Sequence, residues 1–307
     1  MQAAADTLIR RDDVYPSRVA EEPSITDRKD PVVHGIGAAR FGPLSHEQLE
    51  SYDQKGYLFL HGFLAPDEVE ALRAEMEAVR LRGEERDADT IIREPGGRAV
   101  RSVFAIHRDN AVFGRLARDP RLVGIAEQLL GSKVYIHQSR INFKPGFRGK
   151  EFYWHSDFET WHMEDGMPRM RALSMSVALT DNTPQAGPLM LIPSSHRHYV
   201  ACVGETPDQE HYKDSLRKQE IGVPDEGSLA WLVDRYGIEA PVGPAGSIVL
   251  FECNTMHGSN SNITPVPRSN VFMVYNSVEN ALVEPFGGIR PRPGFIAHRE
   301  FEPLKAA

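Results

Sequence analysis

His155 and Asp157 stand two residues apart in FYWHSDFETWHMEDGMPRMRALSMSVALTDN, the stretch from Phe152 to Asn182. On a strand, side chains at i and i+2 leave the same face, so this imidazole and carboxylate can close on one metal ion. Two ligands do not complete a site, and His257 in FECNTMHGSNSN is the best third. Two histidines and one carboxylate form the facial triad that holds Fe(II) and leaves coordination positions open, where oxygen and a cosubstrate can bind. The same donors could hold zinc in a hydrolase, so the triad does not decide the metal by itself. Arg268 follows His257 at the head of an apolar, β-type run, RSNVFMVYNS. A guanidinium offers a planar fork to a carboxylate, and such a contact contributes roughly 1.5–3 kcal/mol when desolvated. A dicarboxylic cosubstrate would supply the partner.

Positioning these residues requires strands from distant parts of the chain. KVYIHQSRINFKP alternates, with Gln138, Arg140, Asn142 and Lys144 on one face and His137, Ser139, Ile141 and Phe143 on the other. The polar face lines a cavity if it points into a barrel and is solvated if it points out; alternation alone leaves both open. ALSMSVALT, PLMLIPSSH, GSIVLFEC and SNVFMVYNSV are further short β-rich runs separated by Pro, Gly and Asn turns, which predicts a jelly roll. Upstream, SHEQLESYDQKG predicts a short capped helix and YLFLHGFL a strand. Ala65–Arg82 predicts an amphipathic helix with Leu72, Met76, Val79 and Leu81 on its core side. Arg82–Val103, with Pro95, Gly96 and Gly97, reads as a loop beside the site. Helices are expected around Asn110–Arg118 and Pro120–Leu130, and the polar segment 204–244 as an insertion covering the barrel mouth. Residues 1–42 mix charge, Pro and Gly without periodicity and read as an arm, mobile or laid over the surface; residues 43–307 form one catalytic domain.

Composition excludes some partners. The 307 residues carry a net charge of −8 and no basic, aromatic-interleaved run, so the footprint of a nucleic-acid binder is missing. No apolar run is long enough for a bilayer, and Asp6 and the Arg10–Asp13 cluster interrupt any signal-peptide core. Two cysteines, Cys202 and Cys253, cannot form a disulfide framework and read as reduced thiols of a cytoplasmic protein.

The pattern of H-x-D, distal His and following Arg resembles that of the Fe(II)/2-oxoglutarate dioxygenases and, more narrowly, their phytanoyl-CoA dioxygenase-like branch. Residues 152–182 resemble the signature of the bacterial ectoine hydroxylases, F-x-W-H-S-D-F-E-T-W-H-x-E-D-G-M-P-x-M-R-A-L-S-x-S-I-x-L-T-x-N, with Val177 at the Ile position. The similarity runs from about Pro43 to Pro303. It implies a mainly β fold with flanking helices around a double-stranded β-helix core of cupin type. It implies Fe(II) on His155, Asp157 and His257, and hydroxylation of ectoine to 5-hydroxyectoine. O2 and 2-oxoglutarate are consumed, and succinate and CO2 released. Retention of Asp157 separates the chain from related halogenases, in which chloride takes that coordination position.

For 2-oxoglutarate the resemblance points to Arg268, Lys144 and Ser259, with Asn142 nearby. For the substrate it points to Gln138, Thr160, Trp161, Ser176, Phe251, Phe272 and Arg290. It also implies a homodimer. His162, His196 and His198 are expected to pack or hydrogen-bond rather than bind iron. Rival readings are a phytanoyl-type dioxygenase with another small substrate, the zinc hydrolase, and a barrel that binds without catalysing.

Overall fold

The computed structural model describes residues 13–34, 42–95, 97–207, 210 and 212–306. Its strands are β1 (Ser24–Asp27), β2 (Tyr57–Leu60), β3 (Ile91–Arg93), β4 (Val100–Phe104), β5 (Val134–Lys144), β6 (Phe152–His155), β7 (Ala172–Ala178), β8 (Leu189–Leu191), β9 (His198–Ala201), β10 (Ile248–Glu252), β11 (His257–Ser259) and β12 (Arg268–Ser277). A seven-stranded sheet in the order β2-β10-β7-β12-β5-β4-β3 forms one side of a double-stranded β-helix, and the three-stranded sheet β6-β11-β8 forms part of the other. Among the described residues every strand pair is antiparallel, and the triad strands β6 and β11 are neighbours, with His155 opposite His257.

The pleat of the large sheet decides the question left by the alternation of β5. Ile141, Phe143, Leu173, Met175, Val177, Ile248, Leu250, Val271 and Met273 face outward into the main core, where helices α1 (His46–Lys55), α2 (Pro66–Glu85), α3 (Ile106–Asp109), α4 (Ala111–Ala117) and α5 (Pro120–Leu130) cover them. The alternate residues therefore face the barrel interior, and that is where the polar side of β5 lies. Opposite Gln138 and Ile136 the register with β12 slips by one residue, leaving His137 in a bulge.

Local signals explain the helices. Ser45 caps α1 through a capping box with Gln48, and Asn110 and Asp119 cap α4 and α5. Helix α2 departs from expectation at one residue: its buried stripe is Val69, Leu72, Met76 and Val79, whereas Leu81 is 49% exposed. Two residues beyond Val79 is roughly 200° around a helix, which turns Leu81 away from the core. The expected loop Arg82–Val103 is corrected too. Helix α2 runs to Glu85, and the β3–β4 hairpin then extends the large sheet, with Pro95 and Gly97 in its turn and Gly96 outside the described residues. Segment 204–244 contains α7 (Tyr212–Ser215) and α8 (Glu226–Tyr236); α8 packs on Ile192, Val200 and Met256.

Of the N-terminal 42 residues, 1–12 and 35–41 lie outside the described residues. Within 13–34, Tyr15, Ser17 and Arg18 are buried, and β1 pairs along β9.

Candidate active site

The candidate metal-binding pair is built by a change of backbone rather than by one strand. His155 ends β6, Ser156 caps the next turn by accepting from the Glu159 amide, and Asp157 opens the helical turn α6 (Asp157–Thr160). The expectation that both ligands stand on one strand face is corrected accordingly. The Ser156 cap swings Asp157 back toward the histidine.

His155 Nε2 lies 3.8 Å from Asp157 Oδ1, and His257 Nε2 3.9 Å from Asp157 Oδ2. One donor atom from each of the three residues lies within 4.8 Å of the others, and all three residues are buried. His155 Nδ1 contacts the Tyr153 carbonyl at 2.6 Å, and His257 Nδ1 the Thr255 carbonyl at 2.9 Å. A carbonyl only accepts, so the proton sits on each Nδ1 and each Nε2 lone pair turns toward the common centre. Ser174 Oγ donates to Asp157 Oδ2 at 3.2 Å and orients the carboxylate. Burial, then the neighbouring His257, lowers the His155 pKa to about 4, which keeps the ring neutral and able to ligate. Burial opposes ionisation of Asp157, but His257, His155 and Arg140 outweigh it and hold the carboxyl below its usual range. The donor set and its carbonyl-fixed tautomers fit a divalent iron ion.

Behind the triad lies a pair of buried basic side chains. Lys144 and Arg268 are register partners on β5 and β12. Lys144 Nζ donates to Ser259 Oγ at 2.7 Å and to the Asn260 carbonyl. Arg268 Nη1 donates to Asn270 Oδ1 at 3.2 Å, while its Nε has no hydrogen-bond partner among the described residues. Burial, then Arg268 and Arg101, lowers Lys144 to about 6, and burial lowers Arg268 to about 10. Two buried cations placed side by side are costly unless an anion joins them. Asn142 stands on the same inner face and accepts from Ser102 Oγ at 2.8 Å.

The cavity beside His155 and Asp157 is lined by Gln138, Thr160 and Trp161, three of the expected substrate residues. Trp161 packs edge-on against His137 with ring centroids 5.0 Å apart. Ser176, Phe251 and Phe272 lie in the adjoining barrel interior: Ser176 accepts from Asn270 Nδ2 at 2.8 Å, the Phe251 ring is 4.7 Å from His257, and Phe272 lies under the Arg140 guanidinium at 5.0 Å. Arg290 does not join them; it is exposed, and Arg292 instead reaches the cavity wall.

Arg101, Arg140, Phe104 and Glu164 line the cavity without having been singled out. Arg140 carried a readable signal, its place on the polar face of β5; the others follow from packing alone. Ser215, Leu216, Gln219 and Ile221 close one side, so part of the expected covering insertion does stand over the mouth. The three histidines expected not to bind iron are engaged elsewhere, His162 with Asp13 and the Met167 carbonyl, His196 with the Asp53 carbonyl, and His198 with the Tyr236 hydroxyl.

A β-helix barrel with this triad at its mouth and two buried basic side chains paired beyond it is the architecture of an iron(II)-dependent dioxygenase. A model of the phytanoyl-CoA dioxygenase family (PhyH) matches residues 52–270. The chain is 56% identical to the ectoine dioxygenase of Stutzerimonas stutzeri over 95% of its own length and 96% of that protein. It is 52% identical to the ectoine dioxygenase of Halomonas elongata over 97% of its length and 91% of that protein. The crystal structure of EctD from S. alaskensis with 2-oxoglutarate and 5-hydroxyectoine matches with a TM-score of 0.88 and 50% identity, covering 96% of this chain and 98% of that one. The chain belongs to the phytanoyl-CoA dioxygenase family.

Proposed function

We propose that this protein hydroxylates ectoine to 5-hydroxyectoine with 2-oxoglutarate as cosubstrate, releasing succinate and CO2. The observation that carries this reading is one cavity in which the metal-binding cluster meets Gln138, Thr160 and Trp161, in a chain 56% identical to an ectoine dioxygenase. His155, Asp157 and His257 would hold the iron, which when bound would supply oxygen activation coupled to oxidative decarboxylation of 2-oxoglutarate.

The chain's own residues bind and orient. Lys144 and Arg268, assisted by Ser259 and Asn142, receive the distal carboxylate of the cosubstrate in a site too buried for water to compete. Ectoine is a zwitterion with a delocalised cationic amidine, and Trp161 offers it an aromatic face beside the ring-bearing wall of the cavity. Gln138, Thr160 and Ser176 direct hydrogen bonds at its polar groups, Phe251 and Phe272 supply apolar contact, and the segment 215–221 excludes solvent.

This reading includes a cytoplasmic homodimer acting in compatible-solute synthesis. Both cysteines are free and buried, and among the described residues no helix is long and apolar enough to cross a membrane.

The test is oxygen consumption by iron-loaded enzyme with 2-oxoglutarate, with and without ectoine. Ectoine should yield one product heavier by about 16 mass units and one succinate per turnover, as coupled oxygen insertion requires. Decarboxylation without hydroxyectoine would leave the dioxygenase class standing with another small substrate. A zinc hydrolase would consume no oxygen. Alanine at His155, Asp157 or His257 should remove bound iron, and unchanged iron content in any of the three would overturn the ligand set.

A further inference from the structure

We infer that Arg18 positions the substrate wall of the active site, so that the segment 13–34 is a working part of the catalytic unit although it lies outside the span matched by the family model. The inference rests on the ectoine reading for its choice of substrate. The wall is the run Asp157–Asp165, in which the helical turn α6 passes into a π turn over Trp161–Asp165. It carries a metal ligand, Asp157, and two cavity residues, Thr160 and Trp161. π turns are rare and concentrate at functional sites, because widening the helix sacrifices regular hydrogen bonding to aim particular side chains.

Besides Asp157 and Asp165, this run buries Glu159 and Glu164, one on each side of the α-to-π change. Carboxylates this close and this dry repel one another and lose solvation, so the turn keeps its shape only with a cation between them. Arg18 bridges the two, while Arg292 Nε stands 3.7 Å from the other oxygen of Glu164. Arg18 Nε and Nη2 donate to Glu159 Oε1 and Oε2 at 2.9 and 2.7 Å, and its Nη1 donates to Glu164 Oε1 at 2.8 Å. Ser17 Oγ adds a bond to Glu159 Oε1 at 2.7 Å. One guanidinium fork thus spans the carboxylates flanking Thr160 and Trp161, a geometry that a lysine cannot reproduce.

Two further features show that this arrangement is built. Arg18 occupies the left-handed region at φ 58°, which costs a non-glycine residue energy and persists only where its surroundings impose it. Its amide is tied to the Cys202 carbonyl at 2.8 Å, and the Cys202 amide to Ser17 Oγ at 2.9 Å. The mouth segment closes over the same point: a Cβ on Gly222 would fall 2.3 Å from Glu159 Oε2, 2.4 Å from Arg18 Nη2 and 3.1 Å from Thr160 Oγ1. At the far end of the turn, Arg292 clamps Asp165 with contacts of 2.7 and 2.6 Å. The wall is held at both ends, and the N-terminal segment supplies one of the clamps.

The test compares Arg18→Ala and Arg18→Lys in the full-length, iron-loaded enzyme with Leu122→Ala, a core change in α5 remote from the wall that lowers the melting temperature without touching it. Arg18→Ala should raise the KM for ectoine on the order of tenfold and release excess succinate per hydroxyectoine, with the KM for 2-oxoglutarate within about twofold, since misplacing a binding wall costs orientation of one substrate only. Arg18→Lys should fall between, and Leu122→Ala should leave the ectoine KM unchanged. Hydrogen exchange without ligands should rise selectively over residues 157–165 in Arg18→Ala. Should Arg18→Ala fail to fold, Arg18→Lys decides on the same readouts. A wild-type ectoine KM and coupling ratio in the Arg18 variants would overturn the inference, as would an equal KM rise in Leu122→Ala. A wild-type enzyme inactive on ectoine would instead overturn the substrate reading, and the exchange comparison would then decide the role of Arg18.

Discussion

Arg268 and Lys144 show how far a single residue's chemistry is set by its place. On the inner face of two paired strands they stand side by side and buried, the arrangement proposed above to receive a dianion. Arg268→Ala should weaken 2-oxoglutarate binding by about 1.5–3 kcal/mol, roughly ten- to a hundredfold, while iron binding survives. Titration of the iron-loaded variant checks this, and unchanged affinity would remove Arg268 from the role. Lys144 makes a second, independent prediction. Burial and its cationic neighbours lower it to about 6, so at pH 8 the unliganded side chain is mostly neutral. A bound dianion favours the charged form, hence 2-oxoglutarate binding at pH 8 should take up about one proton per site. Calorimetry in buffers of different ionisation enthalpy measures it, and Lys144→Met should abolish the uptake.

At the scale of elements, helix α2 separates what periodicity reveals from what it leaves open. Leu72 and Leu81 look equivalent as apolar letters, but only Leu72 faces the sheet. Leu72→Ala should cost about 2–5 kcal/mol and Leu81→Ala under about 0.5 kcal/mol, read from urea midpoints. Similar losses for both would show that the helix is rotated from the position described. The run Asp157–Asp165 is the more instructive element. Ser156 reads plainly as a cap once the turn is known, but H-x-D is equally compatible with a continuous strand, and no local letter announces a π turn.

Across the whole molecule, buried ion pairs tie the N-terminal segment, the site wall and the C-terminal stretch into one unit. Burial opposes ionisation of Asp165, yet Arg292 outweighs it and holds the carboxyl at about 2. A carboxylate whose folded pKa is depressed contributes stability that is fully present above its unfolded pKa, near 4, and is lost as pH falls through the folded value. Unfolding free energy should therefore drop between about pH 4 and pH 2. Asp165→Asn should lower the neutral plateau and flatten that acid limb, as followed by denaturant titration; equal slopes in both proteins would mean that Asp165 contributes nothing there.

The sequence by itself determined the candidate metal-binding cluster, the arginine at the head of β12, the alternation of β5 and the capped helix α1, because each depends on residue types at short spacings. The long signature from Phe152 to Asn182 extended that to a family and an expected substrate. Only the tertiary structure decided that the polar face of β5 turns inward, since two faces of a strand are equivalent until helices cover one of them. It likewise left Arg290 exposed beside the cavity lining, placed Arg140 and Arg292 at its wall and brought Arg18 onto Glu159 and Glu164. Those contacts join residues far apart in the chain, and no local pattern encodes which distant cation will meet a buried carboxylate.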